Sequence, residues 1–371
     1  MVLFSFMHAN PMSSIYIQPD FTTEGGATLH DVPIAYRTWG HLNAAGTNAV
    51  LVGHALTGDA DLGAWWQDLI GPGQALDPEQ DFVICANVPG SPYGSVSPVT
   101  TNPSTGAPYG ADFPAFTIRD TVALHRHLLD ALGVRRVRCA IGGSMGGMQV
   151  LEWAFERTDA GAPLVERLVP IAVGGRHTPW QIGWSEAQRQ AIYADSKWRS
   201  GAYPPEDPPT DGLAAARTMA MVSYRSHTSF QRRFGRQRQS ENGMPKNGTA
   251  DAPFAVQSYL RYHGQKLVDR FDARCYVQLT QQMDTHDVSR NRGAYPDVLQ
   301  QIEQPALVVG IDSDVLYPLA EQDELAAHLP NADLQVLASP HGHDAFLIEQ
   351  EALNALIVQW KNAHVASATA R

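Results

Sequence analysis

The feature that most constrains this chain is a recurrence of short apolar runs rich in β-branched residues: Ala49–Val52, Phe82–Cys85, Val137–Ile141, Leu168–Val173, Ala306–Val309 and Leu334–Leu337. Strands covered on both faces read as near-continuous apolar runs, so a mostly parallel sheet between two helical layers is expected. Helical spacing fills the gaps. From Thr117 to Leu132 the residues Ile118, Val122, Leu128, Leu129 and Leu132 recur on one helical face, and Gly133 supplies a stop. Strand alternating with helix is the mark of a doubly wound α/β fold.

Composition narrows the function classes. The 371 residues are 44% hydrophobic and 18% charged, which excludes a disordered tail, a coiled coil and a collagen. A net charge of −11 offers no basic field, so neither nucleic acid nor an anionic membrane is an expected partner. Three widely spaced cysteines, Cys85, Cys139 and Cys275, with no CxxC, offer neither a disulfide framework nor a zinc ligand set, and suit a reducing compartment. The first residues carry a brief apolar patch with no Lys or Arg before it, and no run reaches membrane-spanning length. A soluble, cytoplasmic protein is expected.

The alternation stops between residues 176 and 299, where Trp, Gln, Arg and Met are frequent and Ser200–Gly212 and Gln239–Pro253 are rich in breakers. Strand patterning returns near Pro305. Residues 1–175 and 300–371 therefore read as one sheet domain, and 176–299 as a helical insertion lying over it as a lid. Asn247-Gly248-Thr249 fits a glycosylation sequon, which carries little weight without a secretion signal.

Gly142-Gly143-Ser144-Met145-Gly146-Gly147 contains G-x-S-x-G between the run Val137–Ile141 and a helical pattern, Met148–Arg157. The strand–turn–helix context is what a serine nucleophile needs: small neighbours permit a sharp turn that lifts Oγ clear of the sheet, and the helix start points N–H groups at a developing oxyanion. A serine at its free pKa is inert, so a base and an orienting carboxylate must follow, in the order Ser, acid, His. Two loops after late strands supply them: Gly310–Pro318 with Asp312 and Asp314, and Ser339–Phe346 with His341 and His343. Spacing favours Asp314, deeper in its loop, and His343, which can turn at Gly342. His125 and His127 sit on a predicted helix and read as packing or surface residues. Oxyanion donors are expected from the amides of Met145 and of Leu56, in Gly53-His54-Ala55-Leu56-Thr57-Gly58.

Taken together, Gly142–Gln149 with Leu151-Glu152-Trp153, Leu69–Gly73, Asn102-Pro103, Pro108-Tyr109-Gly110, Phe113-Pro114, Thr117–Asp120 and Gly342–Phe346 resemble the homoserine O-acetyltransferases, over nearly the whole chain. The resemblance implies an α/β-hydrolase fold with a helical lid, a homodimer formed through that lid, and acyl transfer from acetyl-CoA to L-homoserine without a permanently bound cofactor or metal. Matched by position, Ser144, Asp314 and His343 are the implied nucleophile, acid and base. Arg217 and Tyr224 in Arg217–Ser226 match a lid helix that enters the site, and Asp344 matches the partner of the substrate ammonium. Relatives of this family use succinyl-CoA or accept serine, and an esterase would share the triad. Val88–Pro98 departs from the family's usual Gly-Gly or Gly-Cys segment by its prolines and larger side chains. The arginines 225, 232, 233, 236 and 238 form a local basic cluster, read as an ion-paired solvated face with CoA phosphates as the alternative ligand, and Met283–Asp287 reads as structural.

Overall fold

Alternate residues of the central strands face opposite apolar layers, and this period of two is what makes the sheet a sandwich filling. Val50, Val52, Ile141, Val169, Leu307 and Val309 pack in one cluster with Trp66, Leu353, Ile357 and Trp360, while Leu51, Ile84, Ala140, Leu168 and Val308 pack in another with Val122, Leu129 and Met148. A side chain of this size, fully buried, contributes about 1.5–3 kcal/mol. The chain is seen in a computed structural model that describes residues 13–238 and 252–369. The sequon at 247–249 and most of the second breaker-rich stretch lie outside the described residues.

The strands are β1 (Ser14–Thr22), β2 (Thr28–Trp39), β3 (Ala49–Gly53), β4 (Phe82–Ala86), β5 (Val137–Gly143), β6 (Leu168–Ile171), β7 (Ala306–Ile311) and β8 (Ala332–Leu337). They lie in the order β1-β2-β4-β3-β5-β6-β7-β8. From β4 to β8 every pairing is parallel, and β1 and β2 join antiparallel at one edge. All six apolar runs are strands. The edge hairpin β1–β2 went unread because it faces solvent on one side: Ile15 and Ile17 are 52% and 47% exposed, and the run is broken by Asp and Pro.

The helices are α1 (Leu62–Trp65), α2 (Ile118–Ala131), α3 (Met145–Trp153), α4 (Pro179–Tyr193), α5 (Thr210–Ser223), α6 (His227–Phe234), α7 (Ala255–Val268), α8 (Ala273–Asp284), α9 (Tyr295–Gln300), α10 (Leu319–His328), α11 (Ala345–Ile348) and α12 (Gln350–Thr369). In α2 a capping box fixes the start: Thr117 Oγ1 accepts from the Asp120 amide at 3.0 Å, and the Asp120 carboxylate accepts from the Thr117 amide at 2.9 Å. Helices α4 to α9 occupy the interval between β6 and β7 and dock on loops at the carboxyl ends of the strands. Gln282 Nε2 donates to the Thr117 carbonyl at 3.0 Å, and Ser226 Oγ donates to the Pro340 carbonyl. Among the described residues no helix is long and apolar enough to cross a membrane.

The turn between β5 and α3 is where the sequence pattern placed it, but α3 starts at Met145, three residues earlier than the apolar spacing suggested, and ends at Trp153. Glycine is what allows this. A Cβ on Gly146 would lie 2.1 Å from the Gly53 carbonyl oxygen, so α3 abuts the end of β3 backbone to backbone. Gly146→Ala is expected to cost about 2 kcal/mol or more, because backbone on both sides leaves nothing to give way. A thermal or urea midpoint indistinguishable from the parent chain would refute that contact.

Candidate active site

Ser144 sits at φ 56°, ψ −123°, the sharp turn that a side chain rarely adopts and that the flanking hydrogen bonds impose. Its amide donates to the Ile171 carbonyl at 2.9 Å, and its carbonyl receives the Met148 amide at 3.1 Å. The side chain therefore stands at the start of α3, at the carboxyl end of β5.

Of the two carboxylates in the loop after β7, Asp314 turns inward. Its Oδ1 accepts the amides of Leu316 (2.8 Å) and Tyr317 (2.9 Å), which aim Oδ2 at His343 Nδ1, 2.7 Å away. With Nδ1–H donated to Asp314, the His343 lone pair lies on Nε2. The imidazole is walled by rings: Tyr317 stacked at 5.1 Å, Phe346 edge-on at 5.5 Å and Tyr224 tilted at 5.8 Å between centroids. A Cβ on Gly143 would lie 2.6 Å from the Phe346 ring, so the ring that supports His343 also presses on the residue before Ser144. Asp312 is exposed and accepts the Ser339 amide at 2.9 Å, while His341 faces Ser229 Oγ (3.5 Å) and Glu349 (3.8 Å). The structure thus brings Asp314 and His343 together and leaves Asp312 and His341 apart.

Met145 and Leu56, the expected amide donors, are both buried. The loop that carries Leu56 is fastened from below. His54 accepts the Val88 amide at Nε2 (3.0 Å) and donates from Nδ1 to the Ala55 carbonyl (2.9 Å), so both ring nitrogens are engaged in the neutral form. Asn87 Oδ1 accepts the Ala60 amide at 2.7 Å, and His125 Nε2 lies 3.2 Å from the Asn87 carbonyl. His125 is a buried member of this bracing, whereas His127 is exposed beside Phe21.

Arg217, on α5, holds its guanidinium carbon 5.5 Å from the ring centroid of Tyr224, the residue that closes that helix. Tyr224 bonds to the hydroxyl of Tyr276, which in turn donates to Gln188 at 2.5 Å. The Asp344 amide donates to the Tyr224 carbonyl at 3.1 Å, tying the turn that carries His343 to the inserted helices. Burial pushes the Asp344 carboxyl up, opposed by Arg225 and then Arg217. Arg225 corrects the sequence reading. Rather than joining a solvated face, its side chain is 13% exposed and its Nε lies 3.2 Å from Asp344. The remaining arginines of that cluster do face out, Arg233 over Tyr259 at 4.6 Å and Arg238 over Phe254 at 4.3 Å.

The segment Met283–Asp287 joins lid to core: Asp284 pairs with Arg189 (2.7 Å) and lies 3.2 Å from His177, and His286 Nε2 meets the Gly174 carbonyl at 3.1 Å. Among the described residues no three potential ligands converge on a metal-sized site. Tyr317 and Phe346 were given no role from the sequence, and Arg225 was placed only in the basic cluster. Their only signal there was nearness in sequence to Asp314, His343 and Tyr224.

If Asp314 orients the base, Asp314→Asn lowers turnover of an acetyl ester by about 10⁴-fold with folding intact, and Asp312→Asn leaves it within a few-fold. Equal losses in the two variants, measured beside their circular dichroism, would break the assignment. The bracing histidines also set a pH dependence. Burial lowers the pKa of His54, and that of His125 to about 4, against about 6.5 in an unfolded chain. Below pH 6.5 the unfolded state takes up protons that the folded state refuses, so stability is full above that pH and is lost as pH falls towards 4. Thermal midpoints recorded across this window should fall, and His125→Gln should flatten part of the slope.

A family model described as the alpha/beta hydrolase fold matches residues 48–350. A homoserine O-acetyltransferase of Salinibacter ruber is 68% identical over 97% of this chain and 100% of its own length, and one of Trichormus variabilis is 54% identical over 92% of each. Among solved structures, esterase E22 superposes with a TM-score of 0.82 at 26% identity, covering 94% of this chain and 98% of that one. The homoserine O-acetyltransferase of Bacillus anthracis superposes at 0.83 and 23% identity, over 94% and 96%, a likeness of fold. With identities of this size running end to end through the segments that form the site, the chain belongs to the homoserine O-acetyltransferase family of the α/β-hydrolase fold.

Proposed function

We propose that the chain transfers an acetyl group from acetyl-CoA to the side-chain hydroxyl of L-homoserine, a step of methionine biosynthesis, through a covalent acyl-Ser144 intermediate. The observation that carries this reading is the pairing of opposite charges beside the acid–base dyad. The Arg217 guanidinium lies over the Tyr224 ring, Asp344 is tied to the Tyr224 carbonyl, and that ring flanks His343, so a cation and a carboxylate are at hand for the carboxylate and ammonium of a free amino acid. A simple ester has neither charge.

In this mechanism His343, oriented by Asp314, removes the Ser144 proton as Oγ attacks the thioester carbonyl. The amides of Met145 and Leu56 hold the oxyanion. The carbon–sulfur bond breaks, the proton on His343 passes to the CoA sulfur, and acetyl-Ser144 remains. Homoserine then binds with its carboxylate on Arg217 and its ammonium on Asp344, displacing Arg225. His343 takes its hydroxyl proton, the new ester forms, and the proton returns to Ser144. Charge recognition at both ends of the acceptor raises its effective concentration over water, and the lid keeps water scarce. Tyr224, backed by Tyr276 and Gln188, orients the acceptor.

No permanently held cofactor is required; acetyl-CoA is the co-substrate. Val222 and Tyr262, 43% and 61% exposed on α5 and α7, support a homodimer formed through the lid. A soluble cytoplasmic location suits a biosynthetic enzyme.

Thiol release from acetyl-CoA, followed with and without homoserine, tests the reading: a large stimulation is expected, with an acetylated chain in the intact mass spectrum when homoserine is omitted. Release indifferent to homoserine would instead make the chain an esterase, and a faster rate with succinyl-CoA would reassign the donor. Arg217→Lys should raise the KM for homoserine at least tenfold, because an ammonium cannot grip a carboxylate through two parallel bonds. An unchanged KM would remove Arg217 from the acceptor site.

A further inference from the structure

Two segments that take no part in the steps above meet at the site: the unusual loop Val88–Pro98 and the turn between α7 and α8 in the insertion. Arg270, in that turn, donates from Nη1 to the Thr57 carbonyl at 2.9 Å and to the Tyr93 hydroxyl. Its guanidinium carbon lies 5.8 Å from the centroid of the Tyr93 ring, and the neighbouring Phe271 packs edge-on against that ring at 5.7 Å. Tyr93 is buried, and Asn87 Nδ2 donates to its backbone carbonyl.

Thr57 is the residue after Leu56. The Gly58 amide donates to the Ala55 carbonyl at 2.8 Å, which closes a turn with Leu56 and Thr57 at its centre. His54 anchors the start of this loop and Asn87 its end, both to the segment after β4. At its centre Arg270, which belongs to the insertion, takes the Thr57 carbonyl, while Trp65 Nε1 donates to the Asp59 carbonyl at 3.1 Å. An amide that stabilises an oxyanion must already point at the charge before the charge forms, and a displacement of 1 Å can lower the rate about 100-fold.

We infer that Arg270 is a positioning residue for the Leu56 amide, with Tyr93 holding the guanidinium in register, so that the oxyanion hole is complete only when the lid is seated. Resting on the acyl-serine reading, this has a specific kinetic consequence. Both half-reactions pass through an oxyanion, so both slow together, while the acceptor's grip on Arg217 and Asp344 is untouched.

The test uses the full chain as Arg270→Ala, Tyr93→Phe and the double variant. Thiol release from acetyl-CoA is followed in the first turnover, and kcat and KM for homoserine in the steady state. Arg270→Ala should slow acylation and kcat about tenfold or more, with the homoserine KM within twofold, and millimolar guanidinium should restore part of the rate. Tyr93→Phe should slow both steps less, and its effect should shrink in the Arg270→Ala background. A loss seen only in KM, a loss that guanidinium does not relieve, or Tyr93→Phe effects that simply add would overturn the assignment. If the parent chain releases thiol regardless of homoserine, the acceptor reading fails while the acylation arm still reports on Arg270.

Discussion

Backbone contact between Gly146 and Gly53 governs the rest of this structure. Gly53 ends β3 and opens the loop that carries Leu56, and Gly146 follows Met145 at the start of α3. The two candidate oxyanion amides thus hang from segments that touch. Their separation is set by van der Waals contact between main chains, the least compressible spacer a protein has. Ser144, at a positive φ, lies two residues before that contact. The placing of Ser144 and of the two candidate amides therefore shares one geometric cause.

Around this rigid centre the charges are arranged by burial. The Asp314 carboxylate receives two amides and an imidazole N–H, a full complement for a group buried within the loop after β7. Asp344, the adjacent acid, is balanced by an arginine instead. A carboxylate paired with a side-chain cation can exchange it for another cation, whereas Asp314 cannot exchange its amides. The two acids, thirty residues apart and close in space, are suited to different tasks: one fixed, one replaceable.

Much of this was legible in the sequence. The parallel strands announced themselves because both their faces are buried, and the turn at Ser144 because only small residues satisfy its contacts. That Asp314 rather than Asp312 would face inward was legible from loop depth, and that His343 would turn towards it from the glycine before it. Gly342 has φ 71°, and a Cβ there would meet the Ser226 amide at 2.7 Å. The edge hairpin was hidden by its solvent face, and α3 was placed late because glycines carry no hydrophobic signal. Arg225 was misread for a deeper reason. A cationic side chain beside other cations reads as surface until the fold brings a carboxylate 119 positions away in sequence to within 3.2 Å of it. Long-range ion pairs leave no local pattern.

The insertion between β6 and β7 also has a meaning in time. Pairing of Leu168 with Ala306 must wait until the intervening chain has been made, and Asp314 and His343 are synthesised later still. A growing polypeptide on the ribosome would carry Ser144 long before it owned Asp314 and His343, the pair that the folded chain brings together. That pairing is the last of these features to become possible, once the chain beyond β8 has been made.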